Sequence, residues 1–181
     1  MTGEIRSLLV LGGARSGKSR YAQSVVEQSG RTRIFIATAQ PGDGEMAARI
    51  ATHKAERGPD WRTIEAPLLL DAALRQAAAA DTIVLIDCLT LWLSNLMFAS
   101  CDVATESLRL AETIRSLRGP AVFVSNEVGT GIVPDNRLAR EFRDAQGRLN
   151  QIVAAACDMV VLVAAGLPLT LKPGGHTAPI L

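Results

Sequence analysis

Cysteine is nearly missing from this sequence: three residues in 181, at positions 88, 101 and 157, with no CxxC spacing among them. That excludes zinc-finger and dithiol chemistry and leaves free, buried thiols in a reducing compartment as the expectation. Histidine is rarer still, with only His53 and His176, so no metal site of Cys and His ligands is expected. An excess of either charge is absent too, since 19 Lys and Arg against 18 Asp and Glu give a net charge of +1. Such a balance supplies no bulk attraction toward nucleic acid or an anionic membrane. Long apolar runs do not occur. The opening stretch MTGEIRSLLVLGG is too briefly apolar for a secretory signal, and the most apolar region, 83–99, is broken by Asp87, Ser94 and Asn95. A cytoplasmic protein without a membrane span is expected.

What is present is globular: 48% hydrophobic against 20% charged residues, in a length that suits one domain over 1–181. Short apolar runs alternate with helical patterns. SLLVL (7–11), RIFIAT (33–38), TIVLID (82–87), AVFVSN (121–126) and MVVLVAA (159–165) predict buried strands, with WRTIEA (61–66) a shorter one and LPLTLK (167–172) a final edge strand. Helices are predicted near 18–28, 44–57, 68–79, 89–99, 103–117 and 137–156, the last with Leu138, Phe142 and Leu149 on its packing face. Strands apolar throughout and linked by helices predict an α/β fold, a mostly parallel sheet with helices on both faces. The residues after Lys172 read as a loosely held tail (173–181) in which His176 is solvent-exposed.

GGARSGKS (12–19) matches G-x-x-x-x-G-K-[ST] through Gly12, Gly17, Lys18 and Ser19. An apolar strand runs into it, and a helix carrying Tyr21, Ala22 and Val25 on one face leaves it. Glycines let backbone N–H groups turn toward phosphate, and the helix N-terminus adds positive potential. Lys18 then reaches the β- and γ-phosphates and Ser19 ligates Mg²⁺. The bland alternative, a tight glycine turn, needs neither the Lys nor the Ser. A matching acid should end a later buried strand, where it holds the metal through water, and TIVLID offers Asp87. Asp87 can equally cap a helix starting at Leu89, and the two roles are compatible. These features predict an NTP-binding domain without naming the acceptor.

A single helix-borne histidine is ordinarily structural or merely exposed. In MAARIATHKAER (46–57), however, helical periodicity stacks Arg49, His53 and Arg57 along one face. Two flanking cations disfavour imidazolium, lowering the pKa below about 6.5 and keeping a ring lone pair free near neutral pH. The same cations attract a triphosphate. Asp43 caps this helix and Gly58-Pro59 ends it. The competing view makes the two arginines a solvated face with local pairs such as Glu45–Arg49.

Taken together, GGARSGKS, IATAQ with DGEMAARIATHKAER, WRTIEAP, LIDCLTLWLSNL and VSNEVGTGIVPDNRLAREFRDAQGRLNQ resemble the bifunctional adenosylcobinamide kinase/adenosylcobinamide-phosphate guanylyltransferases of cobalamin biosynthesis, over about residues 8–172. The resemblance implies a P-loop NTPase-type fold and two activities. A phosphoryl group passes from ATP or GTP to the aminopropanol hydroxyl of adenosylcobinamide. GTP then yields a GMP-histidine intermediate, and GMP passes to adenosylcobinamide phosphate to give adenosylcobinamide-GDP. It further implies His53 as the nucleophile. Nucleotide contacts are implied at Gly12, Gly13, Ala14, Arg15, Ser16, Gly17, Lys18 and Ser19, at Ala37, Thr38 and Ala39, at Lys54, Ala55, Glu56 and Arg57, and at Glu65 and Asp87. Mg²⁺ would be held with the nucleotide by Ser19 and Asp87, and a homotrimer is implied. The partners are then small molecules only: GTP, ATP, adenosylcobinamide and its phosphate, with no nucleic acid.

NEVGTGIVPDN (126–136) follows a strand and carries Gly129, Gly131 and Pro134. Open α/β sheets place ligands at such strand ends, which makes this loop, with Asn126 and Glu127, a candidate acceptor pocket. A purely structural Ω-type connection is the equal alternative. Rival functions are a small-molecule kinase without a covalent step and a nucleotide-dependent regulatory ATPase. A recombination motor would need a basic DNA-facing surface that the charge balance does not suggest.

Overall fold

The computed structural model describes residues 5–40 and 58–173. The helix expected over 44–57, with Asp43, Arg49, His53, Lys54, Ala55, Glu56 and Arg57, lies outside the described residues, as does His176. The described chain runs β1 (Ser7–Gly12), α1 (Lys18–Glu27), β2 (Thr32–Ala37), β3 (Trp61–Glu65), α2 (Leu70–Ala77), β4 (Thr82–Asp87), α3 (Leu89–Phe98), α4 (Val103–Arg115), β5 (Ala121–Asn126), α5 (Arg137–Ala156), β6 (Met159–Ala164) and β7 (Leu167–Lys172).

The strands form one seven-stranded sheet in the order β3-β2-β4-β5-β1-β6-β7. All neighbours are parallel except β6 and β7, which are antiparallel. Burial explains the continuous apolar runs. Successive side chains point to opposite faces, so Leu9 and Leu11 enter one core layer while Leu8 and Val10 enter the other. The first layer is completed by α2, α3, α4 and α5 through Leu74, Leu93, Leu110 and Leu149. The second is covered by α1 through Ala22 and Val26.

β6 turns into β7 through Ala165 and Gly166, both at positive φ (52° and 80°), the geometry that matches the twist of a two-residue hairpin. Such a link suits antiparallel neighbours only, which is why the last strand reverses. In α5 the buried positions are Ala145, Gln146, Leu149, Asn150 and Val153. The predicted packing face is therefore displaced: Leu149 is buried and Phe142 half-buried against the core, but Leu138 is exposed and lines the pocket beside Pro134. Among the described residues, no helix is long and apolar enough to cross a membrane.

Candidate active site

Parallel strands share one carboxyl-end edge, and the site residues gather there. Gly12 ends β1 and the loop 13–17 leads into α1, whose first two residues are Lys18 and Ser19. Gly17 sits at φ 94°, and a Cβ there would come within 3.2 Å of Gly166 Cα, so both conformation and space demand glycine. A Cβ on Gly12 would lie 2.6 Å from the Val163 carbonyl oxygen. The loop is braced from the β6–β7 hairpin, where the Gly166 N–H donates to the Ser16 carbonyl at 2.8 Å. Ser16 Oγ is buried with no hydrogen-bond partner, and the Lys18 ammonium folds back to donate to the Gly13 carbonyl at 3.1 Å. An orphaned buried hydroxyl and a cation resting on its own loop are polar groups in need of a ligand, and phosphate oxygens satisfy both.

The other candidates lie across the sheet at one level. Ala37 is in register with Glu65 on one side and with Asp87 on the other. Between these three strand ends and the phosphate loop stands β5. Asp87 pairs with Val124, which pairs with Val10, so β5 continues through Ser125 and Asn126 past the level of Asp87. At about 4.8 Å per strand, Asp87 lies about 10 Å and Glu65 about 19 Å from β1, a span suited to an extended nucleotide. Asp87 does not cap α3. That helix starts at Leu89 with Cys88 in the N-cap position and no side-chain cap, because the chain needs Cys88 for another bond.

That bond is to Thr38. Its hydroxyl donates to the Cys88 carbonyl at 2.8 Å and accepts from the Cys88 N–H at 3.0 Å, while Asn95 Nδ2 donates to the Thr38 carbonyl at 2.7 Å. Thr38 is fully buried, so its hydroxyl fixes the peptide after Asp87 and is not aimed at a ligand. Burial, reinforced by the charge of Asp87, pushes the Cys88 thiol up to about 11, and burial pushes Cys157 up to about 12. Both stay protonated and are poor nucleophiles.

The loop over 126–136 is tied down at each end. Glu127 N–H donates to the Gly12 carbonyl at 3.0 Å, and Arg140 Nη1 donates to the Pro134 carbonyl at 3.0 Å. Asn136 caps α5, accepting from the Ala139 N–H at 2.7 Å. Val128 and Pro134 line an open pocket of about 820 Å³, together with Met97 and Phe98 of α3 and Phe142 of α5. That is the size range of small-molecule sites.

The family described as cobinamide kinase / cobinamide phosphate guanyltransferase matches residues 8–171. The chain belongs to this family. It is 49% identical to a bifunctional adenosylcobalamin biosynthesis protein, CobP, of Pseudomonas aeruginosa, over 91% of this chain and 96% of that protein. Its identity to a bifunctional adenosylcobalamin biosynthesis protein, CobU, of Salmonella typhimurium is 44%, over 91% and 99% of the two chains. Among solved structures, the RadB recombinase superposes with a TM-score of 0.51 at 14% identity, over 86% of this chain and 73% of that one, a likeness of fold alone. The chain is thus an enzyme of cobalamin biosynthesis, a cobinamide kinase and cobinamide-phosphate guanylyltransferase on a P-loop α/β fold.

For this enzyme the described residues bring together Gly12 to Ser19, Ala37, Thr38, Ala39, Glu65 and Asp87 along one edge. His53 and Lys54 to Arg57 lie in the segment between Gln40 and Gly58, outside the described residues. Three parts of the edge are not apparent from the sequence alone: the brace from Gly166, the paired hydrogen bonds between the Thr38 hydroxyl and the Cys88 backbone, and the polar side chains Gln146 and Asn150 beneath β5. The last had a signal, two amides on the buried stripe of α5, visible once that stripe is aligned on Leu149 and Val153.

Proposed function

We propose that the phosphate loop serves both halves of the reaction and that guanylyl transfer proceeds through GMP bonded to His53. The observation that carries the shared site is the cradle itself, with its orphaned Ser16 hydroxyl and Lys18 turned inward. In the first half, Lys18 and the loop N–H groups grip the β- and γ-phosphates of ATP or GTP while the acceptor hydroxyl takes the γ-phosphoryl group. In the second, an uncharged ring nitrogen of His53 attacks the α-phosphorus of GTP, and the N–P bond forms as the bond to pyrophosphate breaks. A neutral nucleophile brings no negative charge toward phosphate, and its phosphoramidate is reactive enough to pass GMP onward. Lys18 and Arg57 offset the charge of the departing pyrophosphate. The hydroxyl of Ser19 and the carboxylate of Asp87 are hard oxygen donors of the kind Mg²⁺ takes, and Mg²⁺ would supply further charge neutralisation on the phosphates. The apolar cavity beside Val128 offers the body of the acceptor a seat one loop away from the phosphates. We further place the enzyme in the cytoplasm as a single-domain homotrimer.

Two variants separate these roles. His53→Ala should abolish guanylyl transfer and leave kinase turnover measurable, whereas Lys18→Ala should lower both by at least about 100-fold, the scale of losing one aligned charge on a phosphoryl group. Normal guanylylation by His53→Ala removes the covalent step. A lysine variant that kept either activity would contradict the shared site.

A further inference from the structure

We propose that Glu127 is the base that takes the proton from the acceptor hydroxyl in the kinase half and is idle in the guanylyl half; this rests on the two-step reading above. Among the described residues, three carboxylates end strands or begin loops on the carboxyl-end edge, and position separates them. Glu65 is four strands from β1, about 19 Å across the sheet. Asp87 is two strands away and lies at the level of Val10, below the phosphate loop. Of these three, Glu127 stands beside that loop, its N–H donating to the Gly12 carbonyl at 3.0 Å.

The protein spends buried polar groups on holding this residue. The Asn126 N–H donates to Thr90 Oγ1 at 2.9 Å, and the Asn126 carbonyl accepts from Asn150 Nδ2 at 3.0 Å. Asn150 Oδ1 in turn accepts from Ser125 Oγ at 2.7 Å and from Gln146 Nε2 at 2.9 Å. Ser125 and Gln146 are fully buried and Asn150 is 5% exposed, in a largely apolar layer that also holds Phe123, Leu149 and Val153. Packing alone would favour Leu at 146 and 150, because a buried amide costs free energy unless it is bonded. Residue 126, immediately before Glu127, is thus held from both sides, by the Thr90 hydroxyl and the Asn150 amide, and Ser125 and Gln146 orient Asn150. The carboxylate is then aimed by a single bond, Gly129 N–H to Glu127 Oε1 at 2.7 Å. Its second oxygen makes no hydrogen bond, and the carboxylate no ion pair, with any described residue. A carboxylate fixed beside the phosphates with one oxygen open is the arrangement a general base requires.

In the kinase step the acceptor oxygen bonds to the γ-phosphorus, the bond from that phosphorus to the β,γ-bridging oxygen breaks, and the nucleoside diphosphate leaves. The hydroxyl proton goes to Glu127. In the guanylyl step the acceptor is a phosphate monoester, whose second pKa is about 6, so its attacking oxygen carries no proton at pH 8. No base is needed there.

The test assays Glu127→Gln in the two halves separately: phosphorylation of adenosylcobinamide with Mg·NTP, and guanylylation of pre-formed adenosylcobinamide phosphate with Mg·GTP. The expected result is a kinase kcat lowered about 10²- to 10⁴-fold with little change in KM, and guanylylation at about the wild-type rate. A kinase half that keeps its rate, or two halves that fall together, overturns the proposal. Should the glutamine variant fail to fold, Glu127→Asp carries the same test, with a selective kinase loss expected and a uniform loss contradicting it. Wild type and His53→Ala run alongside distinguish the underlying reading, which fails if wild type itself lacks one of the halves or if the histidine variant guanylylates normally.

Discussion

Thr38 illustrates how a residue can support the proposed nucleotide site without presenting its side chain to it. Its hydroxyl is consumed by both polar groups of Cys88, and its carbonyl by Asn95. Thr38→Val keeps the shape and removes the hydroxyl, leaving two buried backbone groups unpaired. The expected cost is about 1–3 kcal/mol in denaturant unfolding. Activity in both halves should fall together, since Asp87 is displaced for both. A variant of unchanged stability would mean that water replaces the hydroxyl. At this scale the sequence is informative where spacing is itself the mechanism: Gly12, Gly17, Lys18 and Ser19 are placed by one local turn. It is uninformative about Thr38, whose partner is fifty residues away.

Elements show the same division. Strand identities follow from apolar runs, and all seven predicted segments recur as β1 to β7 within a residue of their expected ends. The order of strands does not, because nothing local tells β5 to insert between the strand of the phosphate loop and the strand of Asp87. That insertion is what brings Asn126 and Glu127 to the site. The pairing of β6 with β1 is reinforced by one carboxylate: Asp158, just before β6, accepts from Arg6 N–H at 2.9 Å, Ser7 N–H at 3.0 Å and Ser7 Oγ at 2.9 Å. Burial works to raise its pKa, but these donors, with the charge of Lys172, hold the carboxyl below the ordinary carboxylate range. A depressed folded-state pKa contributes stability above the unfolded value of about 3.9, and that stability is lost as pH falls through the folded value. Asp158→Asn should therefore cost about 1 kcal/mol at pH 7, the modest figure of a solvent-facing group, with the gap to wild type closing below about pH 4. Urea unfolding at pH 7 and pH 3 checks this, and a gap independent of pH would refute it.

Over the whole molecule, a single sheet edge carries the proposed phosphate cradle at β1, a carboxylate on the neighbouring loop, and the further proposed nucleotide positions toward β3. One cradle can then present the γ-phosphorus to an alcohol and the α-phosphorus to a histidine, provided the 41–57 segment delivers His53 to it. The most direct test is the intact mass of the enzyme after mixing with Mg·GTP, beside His53→Ala treated alike. The account predicts a gain of one GMP on the wild-type chain, lost in acid, stable in base and absent from the variant. A wild-type chain that turns over adenosylcobinamide phosphate yet never gains that mass, or a variant that gains it, would contradict the covalent mechanism.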